Sequence, residues 1–111
     1  MTMGERMELP KHAFSAFFER IGDDGRLLPT HIGLVAALFY HHDCGNPHRH
    51  FHASRRKLMR FSRIRSIATY HKCLSELVAY GYVEYRPSWH PAKGSRFRFI
   101  IRTEGGVNGQ D

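Results

Sequence analysis

Apolar residues near the start of the chain recur at helical spacing. Phe14, Phe17, Phe18 and Ile21 stand at i, i+3, i+4 and i+7, with Pro10 tolerated in the first turn. This predicts a short amphipathic helix with one aromatic face, which either packs on the rest of the domain or serves as a homodimer contact. The Gly22-Asp-Asp-Gly25 cluster ends it as a loop. Thr30 is the expected N-cap of a second helix running to about His42. Ile32, Leu34, Val35, Leu38, Phe39 and Tyr40 make that helix apolar on nearly every side, which predicts a central position. Gly45, Asn46 and Pro47 mark the stretch from Asp43 to His52 as a loop, with Phe51 in a short strand before Ser54.

Beyond residue 53 the pattern is crisper. Ser54 caps a short helix over Arg55-Arg-Lys-Leu-Met-Arg-Phe61, with Leu58 and Met59 facing inward and Arg55, Arg56, Lys57 and Arg60 in water. After a turn, Ser66 caps a third core helix that stops at Gly81, placed at C′. At 100° per residue, Ile67, Tyr70, Leu74, Leu77 and Val78 share one side of this helix. Arg65, Ala68, Thr69, Lys72 and Glu76 share the other, and His71 falls at the core edge. The period then changes to two: Tyr82-Val-Glu-Tyr-Arg86 and Arg96-Phe-Arg-Phe-Ile-Ile-Arg102 read as a β-hairpin. Val83, Tyr85, Phe97, Phe99 and Ile101 lie on its inner face, and Arg96 and Arg98 on its outer face.

Charge sharpens the picture, because the net charge of +7 is unevenly placed. Residues 1–52 carry a net −1, residues 53–102 a net +10, and the tail −2. A field concentrated in fifty residues and spread over a helix pair and a hairpin attracts a polyanion. It lacks the broad apolar face flanked by bases that a membrane-surface helix needs, so duplex nucleic acid is the expected partner. One compact domain fits the 111 residues, with no room for a separate catalytic domain. The longest apolar run, Ile32 to Tyr40, is too short to span a bilayer, and no signal peptide precedes it, so a cytoplasmic protein is expected. Cys44 and Cys73 show no framework spacing and read as free thiols in a reducing compartment.

The segments Ser54-Arg-Arg-Lys-Leu-Met, Ile67-Ala-Thr-Tyr-His-Lys-Cys-Leu-Ser-Glu-Leu and Gly81-Tyr-Val-Glu-Tyr resemble the capped helix, recognition helix and exit strand of bacterial winged-helix DNA-binding proteins. The Leu74, Leu77, Gly81 spacing is the most specific part, and small regulators carried on mobile elements are also similar. The resemblance covers roughly Thr30 to Arg102. It implies an α+β winged helix-turn-helix fold: a three-helix core, a C-terminal hairpin wing and an added N-terminal helix. Residues 1–29 would be the extension, 30–102 the DNA-binding domain and 103–111 a tail.

The turn Phe61-Ser-Arg-Ile-Arg-Ser66 departs from the family pattern by about one residue and lacks its common Gly, so the start of the recognition helix shifts with it. The resemblance and the helical angles together direct Arg65, Ser66, Ala68, Thr69 and Lys72 toward the major groove. Arg or Lys suits guanine edges there, and Thr or Ala a thymine methyl; Lys72 equally suits a phosphate. The resemblance further implies that Ser54, Arg55, Arg56, Arg60 and Arg63 hold the DNA backbone, and that Trp89, His90, Lys93 and Arg96 act from the wing. Trp89 either covers the sheet or stacks on the nucleic acid.

Other chemistries fit less well. His41, His42, Cys44, His48, His50 and His52 crowd twelve residues, but their spacing matches no standard zinc site. A His–Asn–His nuclease built on His42, Asn46 and His50 lacks the separations and paired acids it needs. Neither Cys has a base-supported nucleophile motif. A non-enzymatic protein without cofactor, metal or small-molecule ligand is expected. It would bind duplex DNA in a sequence-specific way and regulate transcription, alone or as a homodimer. The alternatives are a replication, excision or architectural factor, or an interaction module.

Overall fold

A computed structural model describes residues 14–42, 49–88 and 94–101. The described residues form an α+β domain of four helices and a three-stranded antiparallel sheet. The order is α1 (residues 14–23), α2 (Pro29–His41), β1 (Phe51–Ala53), α3 (Arg55–Ser62), α4 (Ile67–Ala79), β2 (Val83–Arg86) and β3 (Ser95–Phe99). The strand order is β1-β3-β2, so the last strand lies between the other two. None of the described helices is long and apolar enough to cross a membrane.

The aromatic stripe of α1 folds onto the domain. Phe14, Phe17 and Ile21 are buried, and Phe99 lies 5.3 Å from Phe14 and 5.2 Å from Phe17, ring centre to ring centre. Tilted and edge-on ring pairs of this kind add about 0.5–1.5 kcal/mol each beyond area burial. Arg20 clamps the helix from the same side: it donates to the carbonyls of Gly81 (3.1 Å) and Ile100 (3.3 Å) and covers the Tyr82 ring at 4.6 Å. The Tyr82 hydroxyl in turn donates to Asp24 at 2.8 Å. Only Phe18 of the stripe stays exposed, because it lies on the flank turned away from Phe99.

Helix α2 departs from expectation at its start and on one face. It begins at Pro29, with Leu28 as N-cap, which leaves Thr30 inside the first turn. Proline suits the first position, since it has no N–H to satisfy there. The cap is closed by His31, whose Nδ1 accepts the Leu28 N–H at 2.8 Å. Leu34, Val35, Ala37 and Leu38 face the core, but Ile32, Phe39 and Tyr40 are exposed, so the helix is not enclosed on every side.

Two termini explain how the basic half is framed. Helix α4 ends at Tyr80 with Gly81 at φ 85°, the Gly81 N–H bonding to Val78 O (3.1 Å) and the Tyr82 N–H to Leu77 O (2.9 Å). That double bond pattern needs a left-handed residue at C′ and turns the chain into β2. The hairpin register then follows the alternation: Val83 opposes Phe99, Glu84 opposes Arg98, Tyr85 opposes Phe97 and Arg86 opposes Arg96. On the other side of β3, Phe51, His52 and Ala53 pair with Phe97, Arg96 and Ser95, giving the short strand at Phe51 its place. Gly94, at φ 75°, enters β3 so close to β1 that a Cβ there would lie 2.7 Å from Ala53 O.

Candidate nucleic-acid interface

Helices α3 and α4 present the basic surface, and each is started by a serine. Ser54 Oγ accepts the Lys57 N–H and Ser66 Oγ accepts the Thr69 N–H, both at 3.2 Å, satisfying amides that a helix start leaves unpaired. In α3 only Leu58 is fully buried, Met59 is half-buried, and Arg55, Arg56, Lys57 and Arg60 project into solvent. In the turn, Ile64 is buried and Arg63 takes the left-handed conformation at φ 65°, the place a glycine fills at lower cost. Arg63 is exposed and its guanidinium also donates to Arg60 O at 3.3 Å, closing the end of α3.

Helix α4 buries Tyr70, Cys73, Leu74 and Leu77. Cys73 is a free thiol, while Cys44 lies outside the described residues. Arg65, Ser66, Ala68 and Lys72 are exposed together at the amino-terminal half, with Thr69 half-buried at the margin. Three residues depart from the angular reading. Ile67 is 50% exposed rather than inward, because the helix starts at that residue and its first turn projects past the core, where Ile64 fills the apolar position instead. Val78 is 39% exposed, and His71, expected at the core edge, is exposed. Both lie on the side of Ile67, away from the line of Tyr70, Cys73, Leu74 and Leu77. The outer face thus carries Ile67 and His71 beside Ala68 and Lys72.

Glu76 is not part of that outward face in the way its charge suggests. Its Oε1 lies 2.7 Å from Nε2 of His31, which is 1% exposed, so the carboxylate ties α4 to the start of α2. Since Nδ1 of His31 accepts from Leu28, Nε2 is the donor toward Glu76. Tyr70 sits beneath the α3–α4 surface within electrostatic reach of Arg55 and Tyr85, and burial pushes its hydroxyl up to about 12.

Of the residues expected to act from a wing, Trp89, His90 and Lys93 lie outside the described residues. Arg96 is exposed on the outer sheet face, opposite His52 on one side and Arg86 on the other, both exposed as well. This row of three cationic or titratable groups crosses all three strands. Sequence reading singled out Arg96 alone, because the pairing of β1 with β3 is non-local; the alternation of Phe51, His52 and Ala53 was the available signal. Next to it, Arg98 donates to Glu84, which holds the Glu84 carboxyl below its usual range, with His50 3.7 Å from the same carboxylate.

The histidines of the 41–52 segment are dispersed. His42 stacks on Phe39 at 4.7 Å, His50 faces Glu84, and His52 lies on the outer sheet face. Among the described residues no group of three His, Cys, Asp or Glu side chains converges as a metal site, while Cys44, Asn46 and His48 lie outside them. Comparisons with protein families, with curated proteins and with solved structures gave no match.

Proposed function

We propose that this protein is a winged-helix protein that binds duplex DNA in a sequence-specific manner, with α4 as its recognition helix, and that it acts as a non-enzymatic regulator of transcription. The observation that carries the reading is the exposed start of α4, with Arg65 in the turn before it and Lys72 on its outer face, the opposite face of the same helix buried, and α3 supplying four more cations beside it. The chain order supports it: a strand, two helices joined by a short turn, then a hairpin whose second strand returns beside the first strand.

In this reading Ala68, Thr69 and Lys72 approach base edges, with Arg65 and Ser66 entering at the helix start. Small side chains at Ala68 and Ser66 allow close approach to the groove floor. Ile67 adds an apolar surface suited to a thymine methyl. Ser54, Arg55, Arg56, Arg60, Arg63 and Arg96 hold phosphates, which fixes orientation without reading sequence. Concentration of charge on this one half disfavours a purely protein-binding module.

The test is duplex binding by fluorescence anisotropy over a salt series. Five guanidinium–phosphate contacts predict a slope of log K against log salt of about −4.5. Arg56→Ala and Arg60→Ala should each make it shallower by about one. A salt-independent affinity, or no binding at low salt, would count against the proposal.

A further inference from the structure

We propose that His71 is a further specificity-determining residue of α4, reading a guanine within about two base steps of the thymine methyl that Ile67 meets. This rests on the duplex-binding reading above and deepens it, because it assigns a base contact to a flank of α4 that helical angles alone turn toward the core. At 100° per residue, the buried line of Tyr70, Cys73, Leu74 and Leu77 turns Ala68, Lys72 and Ser75 outward and leaves two flanks. One flank carries Thr69 and Glu76 and is closed toward α2: Thr69 is half-buried, and Glu76 reaches across to His31 at 2.7 Å. The other flank carries Ile67, His71 and Val78, and all three are exposed. The face of α4 open to a groove is therefore displaced from Thr69 toward His71.

The chemistry of that flank selects the base. Among the described residues, no carboxylate or hydroxyl engages the ring nitrogens of His71; the Ser75 hydroxyl donates to its backbone carbonyl instead, at 2.9 Å. His31, by contrast, is bonded at both nitrogens, and His50 faces Glu84. An imidazole carries an N–H donor in either tautomer. Guanine offers that donor two acceptors and no competing donor in the major groove, whereas adenine sets an amino group beside its acceptor. Lys72 and Arg65 place positive charge at the same end of the helix, which favours the guanine edge further. Ile67 stands four residues before His71, a rise of about 6 Å. That is less than two base steps of about 3.4 Å each, so the two side chains meet bases that are adjacent or one apart.

The test is competition binding on the duplex motif selected by the wild-type chain, with every single-base variant of that motif as competitor. The wild type should prefer guanine by about tenfold or more at a position within two steps of a thymine. His71→Ala should flatten the preference at that one position and leave the rest of the motif as it was. His71→Gln, whose amide pairs with adenine, should move the preference there from guanine to adenine. Both substitutions are at an exposed position, so the far-ultraviolet circular dichroism of the wild type should be retained. A motif unchanged in both variants would overturn the role of His71 and leave sequence-specific binding standing. A loss in His71→Ala spread evenly over all sequences would also overturn it, since that marks a phosphate contact. A wild-type chain that selects no motif would overturn both this inference and the reading it rests on.

Discussion

Replacing His31 with alanine tests how α4 is held. The imidazole is 1% exposed and bonded at both nitrogens, to the Leu28 N–H and to Glu76. Truncation removes buried ring atoms and leaves a cavity, at a cost of about 2 kcal/mol. It also deletes a hydrogen bond to a carboxylate worth about 1.5 kcal/mol, held to the lower end because the Glu76 side chain is 32% exposed. The Leu28 amide loses its cap acceptor but lies where water can reach it, adding about 0.5 kcal/mol. These overlap, so the expected loss is about 3–4 kcal/mol, or a fall in Tm of about 12–16 °C for a chain of this size. Urea and thermal unfolding followed by circular dichroism measure both. Combined with Glu76→Ala, which removes the acceptor that a glutamine would keep, a double-mutant cycle should show about 1–2 kcal/mol of coupling. A loss below about 1 kcal/mol, or strictly additive variants, would refute the idea that this pair fastens α4 to α2.

Three further outcomes follow from particular contacts. Gly94→Ala combines a left-handed backbone with a Cβ aimed at the Ala53 carbonyl, and should cost more than about 1 kcal/mol in urea unfolding. Hydrogen bonds from Arg26 hold the Asp24 carboxyl well below its usual range, and Arg98 lowers that of Glu84. Depressed carboxyl values stabilise the fold above the ordinary value near pH 4 and are lost as pH falls through the lowered one, so Asp24→Asn should be less stable at neutral pH and flatter in its acid unfolding curve, read by circular dichroism. Thr69→Ala or Arg65→Ala should relax preference at one base position at about 1–3 kcal/mol, while Arg56→Ala weakens all duplexes alike in competition binding; uniform loss from all three would contradict the groove assignment.

Much of this architecture is legible along the chain because its signals are local. The i, i+3, i+4, i+7 stripe of Phe14 to Ile21, the serine caps at 54 and 66, and the switch to alternation after Gly81 each depend on neighbours within one or two turns. The inner and outer faces of the hairpin followed from the alternation, whereas its register, Val83 against Phe99 and Tyr85 against Phe97, did not, since alternation allows any shift by two residues. What was not legible depends on distant partners. No pattern marks His31 as the mate of Glu76, since that contact needs helices forty-five residues apart to meet, and its local bond to the Leu28 N–H is not announced by any of the residues that usually cap a helix. The left-handed Arg63 has no glycine to announce it, and the turn was read as irregular for that reason. The apolar content of α2 is consistent with burial all round, and only the placement of α1 and α3 leaves Ile32 and Tyr40 outside. For the candidate site, the basic residues of α3 and α4 were visible in the charge pattern, but the row His52, Arg96, Arg86 requires the β1–β3 pairing.

The central claim is that the exposed half of α4 reads duplex sequence. It is tested most directly by selection from a randomised duplex pool with the purified chain at near-physiological salt. The account predicts enrichment of a defined motif that is lost or altered in the Thr69→Ala and Arg65→Ala proteins. Retention of duplexes without any motif, or a motif unchanged in both variants, would contradict it.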